Sequence, residues 1–282
     1  MKFIPDLGKL SIATEKIRRL KRSIGFVPTM GALHAGHSSL IKQARKENNI
    51  VVVSIFVNPA QFVPGEDFKK YPRYLKQDVD FCRQLGVDFV FLPDTKDMYP
   101  KGYSTFVNVE DLSDLLCGVS RPGHFCGVAT VVAKLLNIVQ PDTLYLGQKD
   151  AQQAIIISRM VKDLNFSVKV KVLPIVREKD GLALSSRNAY LSKNERSGAV
   201  VLFKALQLAE ALICNGQRDA ARIISRMKQL IEKNKQAKIG YIAIIDPQQL
   251  RAVKKVKPGS LIALAVKIGK TRLIDNTTIG CA

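Results

Sequence analysis

The chain has 282 residues, of which 46% are hydrophobic and 24% charged, as is typical of a globular protein of about two domains. Its 44 Lys+Arg against 24 Asp+Glu give a formal net charge of +20, so nucleic acid, anionic membranes and anionic small substrates are all candidate partners. The five cysteines are widely spaced and form no Cys-x-x-Cys pair, which argues against a disulfide framework and against a zinc site.

The distribution of the basic residues favours an ordinary solvated surface. The two densest clusters, at 18–22 and 254–257, contain no aromatic residue, and the chain has no Trp, unlike typical nucleic-acid-binding surfaces. No apolar run approaches the ~20 residues that a membrane helix needs, and residues 1–16 lack the apolar segment of a signal peptide. We therefore expect a soluble cytoplasmic protein with no nucleic-acid or membrane partner.

Strand-like and helix-like segments alternate from residue 23 to residue 176. The run IVVVSIFV, residues 50–57, is typical of a strand buried on both faces. Such alternation predicts a parallel α/β sheet with right-handed crossovers, whose ligands bind beyond the carboxyl ends of the strands. The predicted strands are 23–30, 50–57, 87–94, 142–147 and 166–176, and the predicted helices are 37–49, 71–86, 127–140 and 150–165.

The pattern changes after about residue 175. Two amphipathic helices, 199–216 and 219–235, precede short strands that are joined by turns. Helices followed by sequence-adjacent strands indicate a small α+β domain. We predict a nucleotide-binding α/β domain over 1–175 and a smaller domain over 176–282.

The stretch PTMGALHAGH, residues 28–37, carries two of the three histidines at the first strand-to-helix junction. His37 falls near a helix N-terminus, where free N–H groups and the helix dipole attract anions. With His34 at i, i+3 on the same helix face, it could stabilise a transferring phosphoryl group. The alternative is a pair of capping histidines. A zinc site is disfavoured, because the Glu and the i+4 spacing of a zincin helix are absent.

A second phosphate-binding loop is predicted in REKDGLALSSRN, residues 177–188. The hydroxyls of Ser185 and Ser186 can donate hydrogen bonds, and Arg187 can hold a phosphate bidentately. Gly181 could serve as a hinge for closure. The alternative is an ordinary linker between domains.

Two further polar clusters follow predicted strands. Asn58 and Gln61 lie in VNPAQF, and Lys149, Asp150 and Gln153 lie in LGQKDAQQ. Lys149 could neutralise phosphate charge, Asp150 could accept from ribose hydroxyls, and the two glutamines suit a ligand with hydroxyls and a carboxylate. The alternative is turn chemistry, with Asp150 as a helix N-cap.

Six motifs, in this order and at these intervals, closely resemble the pantothenate synthetases (pantoate–β-alanine ligases): PTMGALHAGH, VVVSIFVNPAQF, GEDFKKYPR, RPGHFCGVATVVAKLLNIVQPD, LGQKDAQQ and DGLALSSRN. The resemblance runs from about residue 24 to 191 and resumes weakly at TRLIDN. It implies a Rossmann-like domain with a small C-terminal lid in a homodimer, with Mg²⁺ accompanying ATP. It also implies adenylation of (R)-pantoate by ATP, followed by attack of β-alanine on the adenylate.

The resemblance implies roles for matching positions. His34, His37, Lys149, Ser185, Ser186 and Arg187 would be catalytic. Gln61, Gln153 and Asn58 would bind pantoate, and Gln61 would also contact β-alanine. ATP would contact Met30, Gly31, Ala32, Leu33, His34, Ala35, Gly36, His37, Gly147, Gln148, Lys149, Asp150, Val176, Leu184, Ser185, Ser186 and Arg187.

Two other functions remain open at this point. One is a nucleotidyltransferase that makes a cytidylyl or adenylyl phosphoester; the paired glutamines disfavour it, because a phosphorylated substrate would call for more arginine there. The other is a basic RNA-binding module without catalysis. The metal ligands are not predictable from the residues, although Glu66, Asp78 and Asp80 are candidates.

Overall fold

A computed structural model describes residues 1–280, so Cys281 lies outside the described residues. The strands are β1 (Lys2–Ile4), β2 (Ile24–Thr29), β3 (Ile50–Ile55), β4 (Phe89–Phe91), β5 (Thr143–Gly147), β6 (Lys169–Leu173), β7 (Ala237–Ile245), β8 (Leu261–Ile268) and β9 (Thr271–Thr278). The helices are α1 (Leu7–Arg19), α2 (Ala35–Glu47), α3 (Leu75–Gln84), α4 (Thr95–Met98), α5 (Cys117–Ser120), α6 (His124–Val139), α7 (Ala151–Asp163), α8 (Lys193–Ala199), α9 (Val201–Cys214) and α10 (Ala220–Glu232). Short 3₁₀ turns cover Pro59–Gln61, Leu112–Asp114, Gln148–Asp150 and Ser186–Tyr190.

The first six strands form one parallel sheet in the order β1-β4-β3-β2-β5-β6. The chain starts near one edge, reaches the centre at β2, and then builds outward on both sides. The strand order therefore reverses beside β2, between β3 and β5. In open parallel sheets this reversal leaves a crevice beyond the carboxyl ends of the central strands, which is where ligands bind.

Both faces of this sheet are covered, which explains the continuous apolar strands. Alternate residues point to opposite faces, so Val52 lies in the apolar core that includes residues of α1, α6 and α7 on one face. Its neighbours Val51 and Val53 pack against α2 and α3 on the other face. The predicted parallel α/β sheet is confirmed.

The remaining strands form a separate antiparallel sheet in the order β7-β8-β9. Helices α9 and α10 bury their apolar faces against it in a second core. A smaller apolar cluster joins the two units, because Cys117 and Ile156 of the first pack with Leu250 and Leu261 of the second. The predicted small α+β unit is confirmed, while the boundary at residue 175 stays a prediction.

Some elements differ from the prediction. Strand β1 and helix α1 were not expected; α1 begins after Asp6, whose side chain accepts from the Lys9 backbone N–H. Helix α6 begins at His124, three residues earlier than the predicted start at 127.

The stretch Lys193–Cys214, which spans α8 and α9, is long and apolar enough by length and composition to cross a membrane. This contradicts the expectation that no apolar run approaches that length. Its apolar residues belong to the second core, where Leu202, Leu206 and Ile213 are almost fully buried. A core helix passes the same length and composition test, so the stretch is weak evidence for a membrane span.

Candidate active site

The two histidines of PTMGALHAGH form a reciprocal cap at the start of α2. The Nδ1 atom of His34, the N-cap residue, accepts from the Gly36 backbone N–H at 3.1 Å. The Nδ1 atom of His37 accepts from the His34 backbone N–H at 3.3 Å. Because each Nδ1 accepts, the proton of each neutral ring lies on Nε2. The rings lie 4.2 Å apart between centroids.

His34 precedes the helix, so the expectation that both histidines share a helix face is wrong for His34. The predicted alternatives also turn out to be compatible: both residues cap the helix, and both line the pocket described below. Burial first, and then the Lys149 ammonium, lowers the pKa of His34 to about 4. Burial, His34 and Lys149 lower the pKa of His37 to about 3. Both rings are therefore neutral N–H donors near pH 7.

The backbone between β2 and α2 is held by a carboxylate from another helix. Gly31 and Ala32 have φ of 84° and 50°, values that a non-glycine residue such as Ala32 seldom adopts. Asp78 of α3, 3% exposed, accepts from the Ala32 N–H at 2.9 Å and the Leu33 N–H at 2.7 Å. Asp78 is thus a support of this loop, and the sequence had suggested it only as a metal ligand.

Asn58 and Gln61 lie at the carboxyl end of β3, as predicted, but they differ in role. Asn58 is 1% exposed, and its Nδ2 donates to Gln61 Oε1 and to the Gly127 carbonyl, both at 3.1 Å. Its Oδ1 accepts from the Tyr99 hydroxyl at 2.7 Å and the Ala60 N–H at 3.3 Å. These four bonds occupy both N–H donors and both acceptor positions of the Asn58 amide. The contribution of Asn58 is therefore to orient Gln61.

The third histidine supports the backbone of Gln61. Arg121 is ion-paired with Glu66 and lies 2.8 Å from His124 Nε2. The His124 Nδ1 then donates to the Gln61 carbonyl at 2.7 Å. Burial, followed by the Arg121 charge, lowers the pKa of His124 to about 4, so this ring is also neutral. The sequence alone indicates no role for Arg121 or His124.

The turn after β5 is held by hydrogen bonds from β9, the last strand of the second unit. The Asn276 Nδ2 donates to the carbonyls of Gln148 and Lys149, each at 3.0 Å, and its Oδ1 accepts from Gln148 Nε2 at 3.0 Å. Asp150 occupies the N-cap position of α7, but its side chain makes no capping bond. It pairs instead with Lys149 at 3.4 Å. Burial raises the pKa of Asp150, but the charge and hydrogen bond of Lys149 together with the Arg187 charge outweigh it, so the net shift of the Asp150 pKa is downward.

The loop 177–188 is anchored at its start by the same strand. Arg177 forms a bidentate ion pair with Asp275 at 2.7 and 2.9 Å, and Asp275 is 2% exposed. Gly181 has φ of 94°, and a Cβ there would lie 1.9 Å from the Phe203 ring. Packing against Phe203 therefore requires glycine at 181, whereas the hinge role of Gly181 stays a prediction.

The tip of this loop contacts the segment after β3. Arg187 forms a bidentate ion pair with Asp67 at 2.9 and 3.1 Å, and the Ser186 hydroxyl lies 3.2 Å from the Tyr71 hydroxyl. Ser185 Oγ accepts from the Arg187 N–H at 3.3 Å and caps the 3₁₀ turn. The sequence had not indicated Asp67 or Tyr71 as partners.

One pocket, with a cavity volume of 220 Å³, brings most of the predicted site residues together at the reversal of strand order. The pocket opens beyond the carboxyl ends of β2, β3 and β5. The predicted residues that line it are Met30, His34, Gly36, His37, Asn58, Gln61, Gly147, Lys149, Asp150, Gln153, Val176, Leu184, Ser185, Ser186 and Arg187. Five predicted ATP-binding residues do not line this pocket: Gly31, Ala32, Leu33, Ala35 and Gln148.

Within residues 1–280 no three His, Cys, Asp or Glu side chains cluster as a metal site would require. The three acidic candidates are used elsewhere. Asp78 binds backbone N–H groups, Glu66 pairs with Arg121, and Asp80 pairs with Arg83. Asp150 is the one carboxylate among the described residues that lines the pocket.

The comparisons with known proteins agree along the whole chain. The sequence profile described as pantoate–β-alanine ligase matches residues 2–278. Pantothenate synthetase of Acetivibrio thermocellus is 51% identical over 99% of both chains, and that of Thermosipho melanesiensis is 52% identical over 99% of this chain and 100% of the relative.

Solved structures give the same result. Pantothenate synthetase from Thermus thermophilus is 42% identical and superimposes with a TM-score of 0.94, over 99% of this chain and 100% of the other. Pantoate–β-alanine ligase from Francisella tularensis, complexed with β,γ-ATP and β-alanine, is 38% identical with a TM-score of 0.81, over 99% and 97%. The chain therefore belongs to the pantoate–β-alanine ligase family.

Proposed function

We propose that this protein joins (R)-pantoate and β-alanine in an ATP-dependent reaction through a pantoyl-adenylate intermediate. The observation that carries the proposal is the composition of the pocket at the strand reversal. Cationic and N–H donors from His34, His37, Lys149 and Arg187 line it together with the amide of Gln153. Membership of the family supports the same conclusion.

In the first step a pantoate carboxylate oxygen attacks the α-phosphorus of ATP, forming a C–O–P bond as the bond to pyrophosphate breaks. Negative charge grows on the phosphate oxygens, and preorganised donors stabilise it. We assign this role to the Nε2–H groups of His34 and His37, to the Lys149 ammonium, and to Ser185, Ser186 and Arg187. The remaining pocket residues of the nucleotide site, among them Met30, Val176 and Leu184, contact the nucleotide.

Gln61 and Gln153 are the proposed ligands of pantoate, through its hydroxyls and carboxylate. Gln61 Nε2 lies 2.9 Å from Met30 Sδ, and a thioether is a weak acceptor, so this amide is available to a ligand. Asn58 contributes by holding the Gln61 side chain, and His124 by holding the Gln61 carbonyl.

In the second step the free amine of β-alanine attacks the pantoyl carbonyl. The C–N bond forms, the C–O bond to phosphate breaks and AMP leaves. The ammonium loses one proton before the attack and a second afterwards. This step needs mainly positioning and exclusion of water. Gln61, beside the pantoate carbonyl, is the proposed contact of β-alanine.

The donor set also fits a Mg²⁺ that accompanies ATP. Such ions take one or two carboxylates and leave the rest of their octahedron to phosphate oxygens and water, and Asp150, the carboxylate that lines the pocket, would supply that ligand. When bound, Mg²⁺ would neutralise charge on the phosphate oxygens.

The family resemblance also supports a homodimer, a lid role for the C-terminal unit (176–282) over the 1–175 unit, and a cytoplasmic location. Light scattering of the purified protein tests the dimer, since a monomer mass would remove it. Fractionation of cells tests the location, and a membrane-bound pool would contradict it.

The test of the function is exchange of labelled pyrophosphate into ATP with and without (R)-pantoate, in the absence of β-alanine. Exchange that requires pantoate is the expected result. Without β-alanine only adenylate formation can occur, and its reversal carries labelled pyrophosphate into ATP. Exchange with another acid, or none with any acid, would remove the substrate assignment.

A further inference from the structure

The Tyr99 hydroxyl reaches Asn58 from outside the nucleotide pocket. Tyr99 follows α4 and does not line the pocket, yet its hydroxyl donates to Asn58 Oδ1 at 2.7 Å. This is the shorter of the two bonds to Oδ1, since the Ala60 N–H lies at 3.3 Å. Burial, and then Tyr103, raises the pKa of the Tyr99 hydroxyl above its usual value, so the phenol keeps its proton and stays a donor.

The Tyr99 ring is held from several sides. Its centroid lies 6.4 Å from that of Phe56 and 5.1 Å from that of Tyr103, which packs edge-on. The Lys134 ammonium lies 5.8 Å from the Tyr99 centroid and 4.5 Å from the Tyr103 centroid, within the range at which a cation is attracted to an aromatic face. These contacts fix the ring and therefore the position of the hydroxyl.

The orientation of the Asn58 amide determines that of the Gln61 amide. The Ala60 N–H can only donate and the Gly127 carbonyl can only accept, so the oxygen and nitrogen ends of the Asn58 amide are assigned. The Tyr99 hydroxyl adds a second donor at the oxygen end. The nitrogen end then donates to Gln61 Oε1 at 3.1 Å, which turns the Gln61 Nε2 away from Asn58.

A Gln61 amide set in this way offers an N–H donor to the pocket that it lines. Its Nε2 lies 2.9 Å from Met30 Sδ, a weak acceptor that an incoming oxygen can displace. The carboxylate and hydroxyl oxygens of pantoate accept from such a donor. A flipped Gln61 amide would instead place its Oε1 opposite those oxygens, with no proton between two acceptors.

We propose, on the basis of the function proposed above, that Tyr99 is a positioning residue for pantoate, which acts through Asn58 to keep the Gln61 N–H turned toward the substrate. The hydroxyl is the group that carries this role, and the aromatic ring serves to place it. Tyr99 itself touches neither substrate nor reacting atom.

The test is Tyr99→Phe, which removes the hydroxyl and keeps the ring. Pantoate-dependent pyrophosphate exchange is measured over a range of pantoate concentrations. We expect the KM for pantoate to rise about five- to tenfold, as for one lost hydrogen bond that leaves a buried acceptor less satisfied. The maximal exchange rate and the KM for ATP should stay within twofold of wild type, because a loss of uniform substrate binding raises KM alone.

The matched control is Tyr103→Phe. Tyr103 belongs to the same aromatic cluster and lies beside the same ammonium, but it is not a partner of Asn58. Its pantoate KM should not change. A second comparison adds Tyr99→Phe to Gln61→Ala, where exchange at low pantoate reports kcat/KM. The added substitution should change that rate by less than twofold, since residues that act through one another are not additive.

The outcomes separate the two proposals. An unchanged pantoate KM in Tyr99→Phe, with exchange intact, would overturn the positioning role and leave the ligase function standing. Equal rises in Tyr99→Phe and Tyr103→Phe would also overturn it, since the cluster would then act by packing alone. So would a full five- to tenfold effect of Tyr99→Phe on top of Gln61→Ala. Absence of pantoate-dependent exchange in the wild type would overturn the ligase function itself.

Discussion

The two loops that face the nucleotide pocket are held in place in different ways. The loop 30–37, the histidine loop, is fixed by contacts within the first unit, namely the reciprocal histidine cap and the bonds to Asp78. The loop 177–188, the basic loop, is held by side chains that are distant in sequence, with Asp275 at its base and Asp67 and Tyr71 at its tip.

The two loops differ in whether a ligand could replace the contacts that hold them. The Arg187–Asp67 pair is bidentate, with side chains 28% and 22% exposed, and a phosphate offers Arg187 the same geometry. The N–H groups bound to buried Asp78 have no such access to a ligand. We infer that the histidine loop is preorganised and that the basic loop exchanges Asp67 for phosphate.

The strongest test of preorganisation is His37→Asn. Asparagine keeps an acceptor where Nδ1 stands and so preserves the cap, but it removes the Nε2–H donor. We expect pantoate-dependent pyrophosphate exchange to fall about 100-fold or more, as with loss of one preorganised donor. The urea midpoint should match wild type. Near-normal exchange would show that His37 only caps the helix.

The support of the histidine loop is tested by Asp78→Asn, which leaves one backbone N–H without an acceptor. We expect the free energy of unfolding to fall by about 1–3 kcal/mol and exchange to fall roughly tenfold, because a displaced donor weakens catalysis. Asp80→Asn on the same helix is the control, since its surface pair with Arg83 is worth less than about 1 kcal/mol. Equal effects of the two variants would contradict the assigned role.

The neutral state of the histidines predicts a pH dependence of stability. The pKa of His34 is lowered to about 4 in the folded protein from an unfolded value near ~6.5. Between these values the unfolded chain binds more protons, so the free energy of unfolding falls as pH falls, by up to about 1.4 kcal/mol per pH unit. In His34→Asn this contribution is absent. Urea titrations from pH 7 to 5 measure the difference in slope, and parallel slopes would refute it.

The smallest expected effect concerns the Arg187–Asp67 ion pair, which a phosphate can replace. Asp67→Asn removes the carboxylate that competes with phosphate for Arg187, so the KM for ATP should fall by about two- to fivefold. Asp180→Asn is the control, because Asp180 lies on the same loop but pairs with Arg196 of α8, and neither residue lines the pocket. A higher KM for ATP in Asp67→Asn would mean that the pair holds Arg187 in its binding position.

Much of the fold can be predicted from the periodicity of apolar residues, and the elements that were not predicted were missed for physical reasons. Buried runs such as 50–55 and helices such as α7 are long enough to show their period. Strand β1 has three residues at a sheet edge, too few for any pattern. The early start of α6 depends on Gly123, whose left-handed backbone precedes His124.

The site divides in the same way. Residues that belong to a local motif, such as His34 and Ser185, could be placed at the pocket from the sequence, because the spacing within the motif indicates their chemistry. Supports such as Asp78 and Asn276 act across long stretches of sequence, and no local spacing marks them. The only sequence signal for Asn276 is its place in the motif TRLIDN.

Strand β9 reaches back from the far end of the chain to both walls of the pocket, through Asp275 to the basic loop and through Asn276 to the turn after β5. A polypeptide emerging from the ribosome can complete its parallel sheet well before this strand exists. The pocket is then assembled only after β9 has been synthesised. Chains that end before β9 would lack the Asp275 and Asn276 contacts. Incomplete chains would therefore not consume ATP.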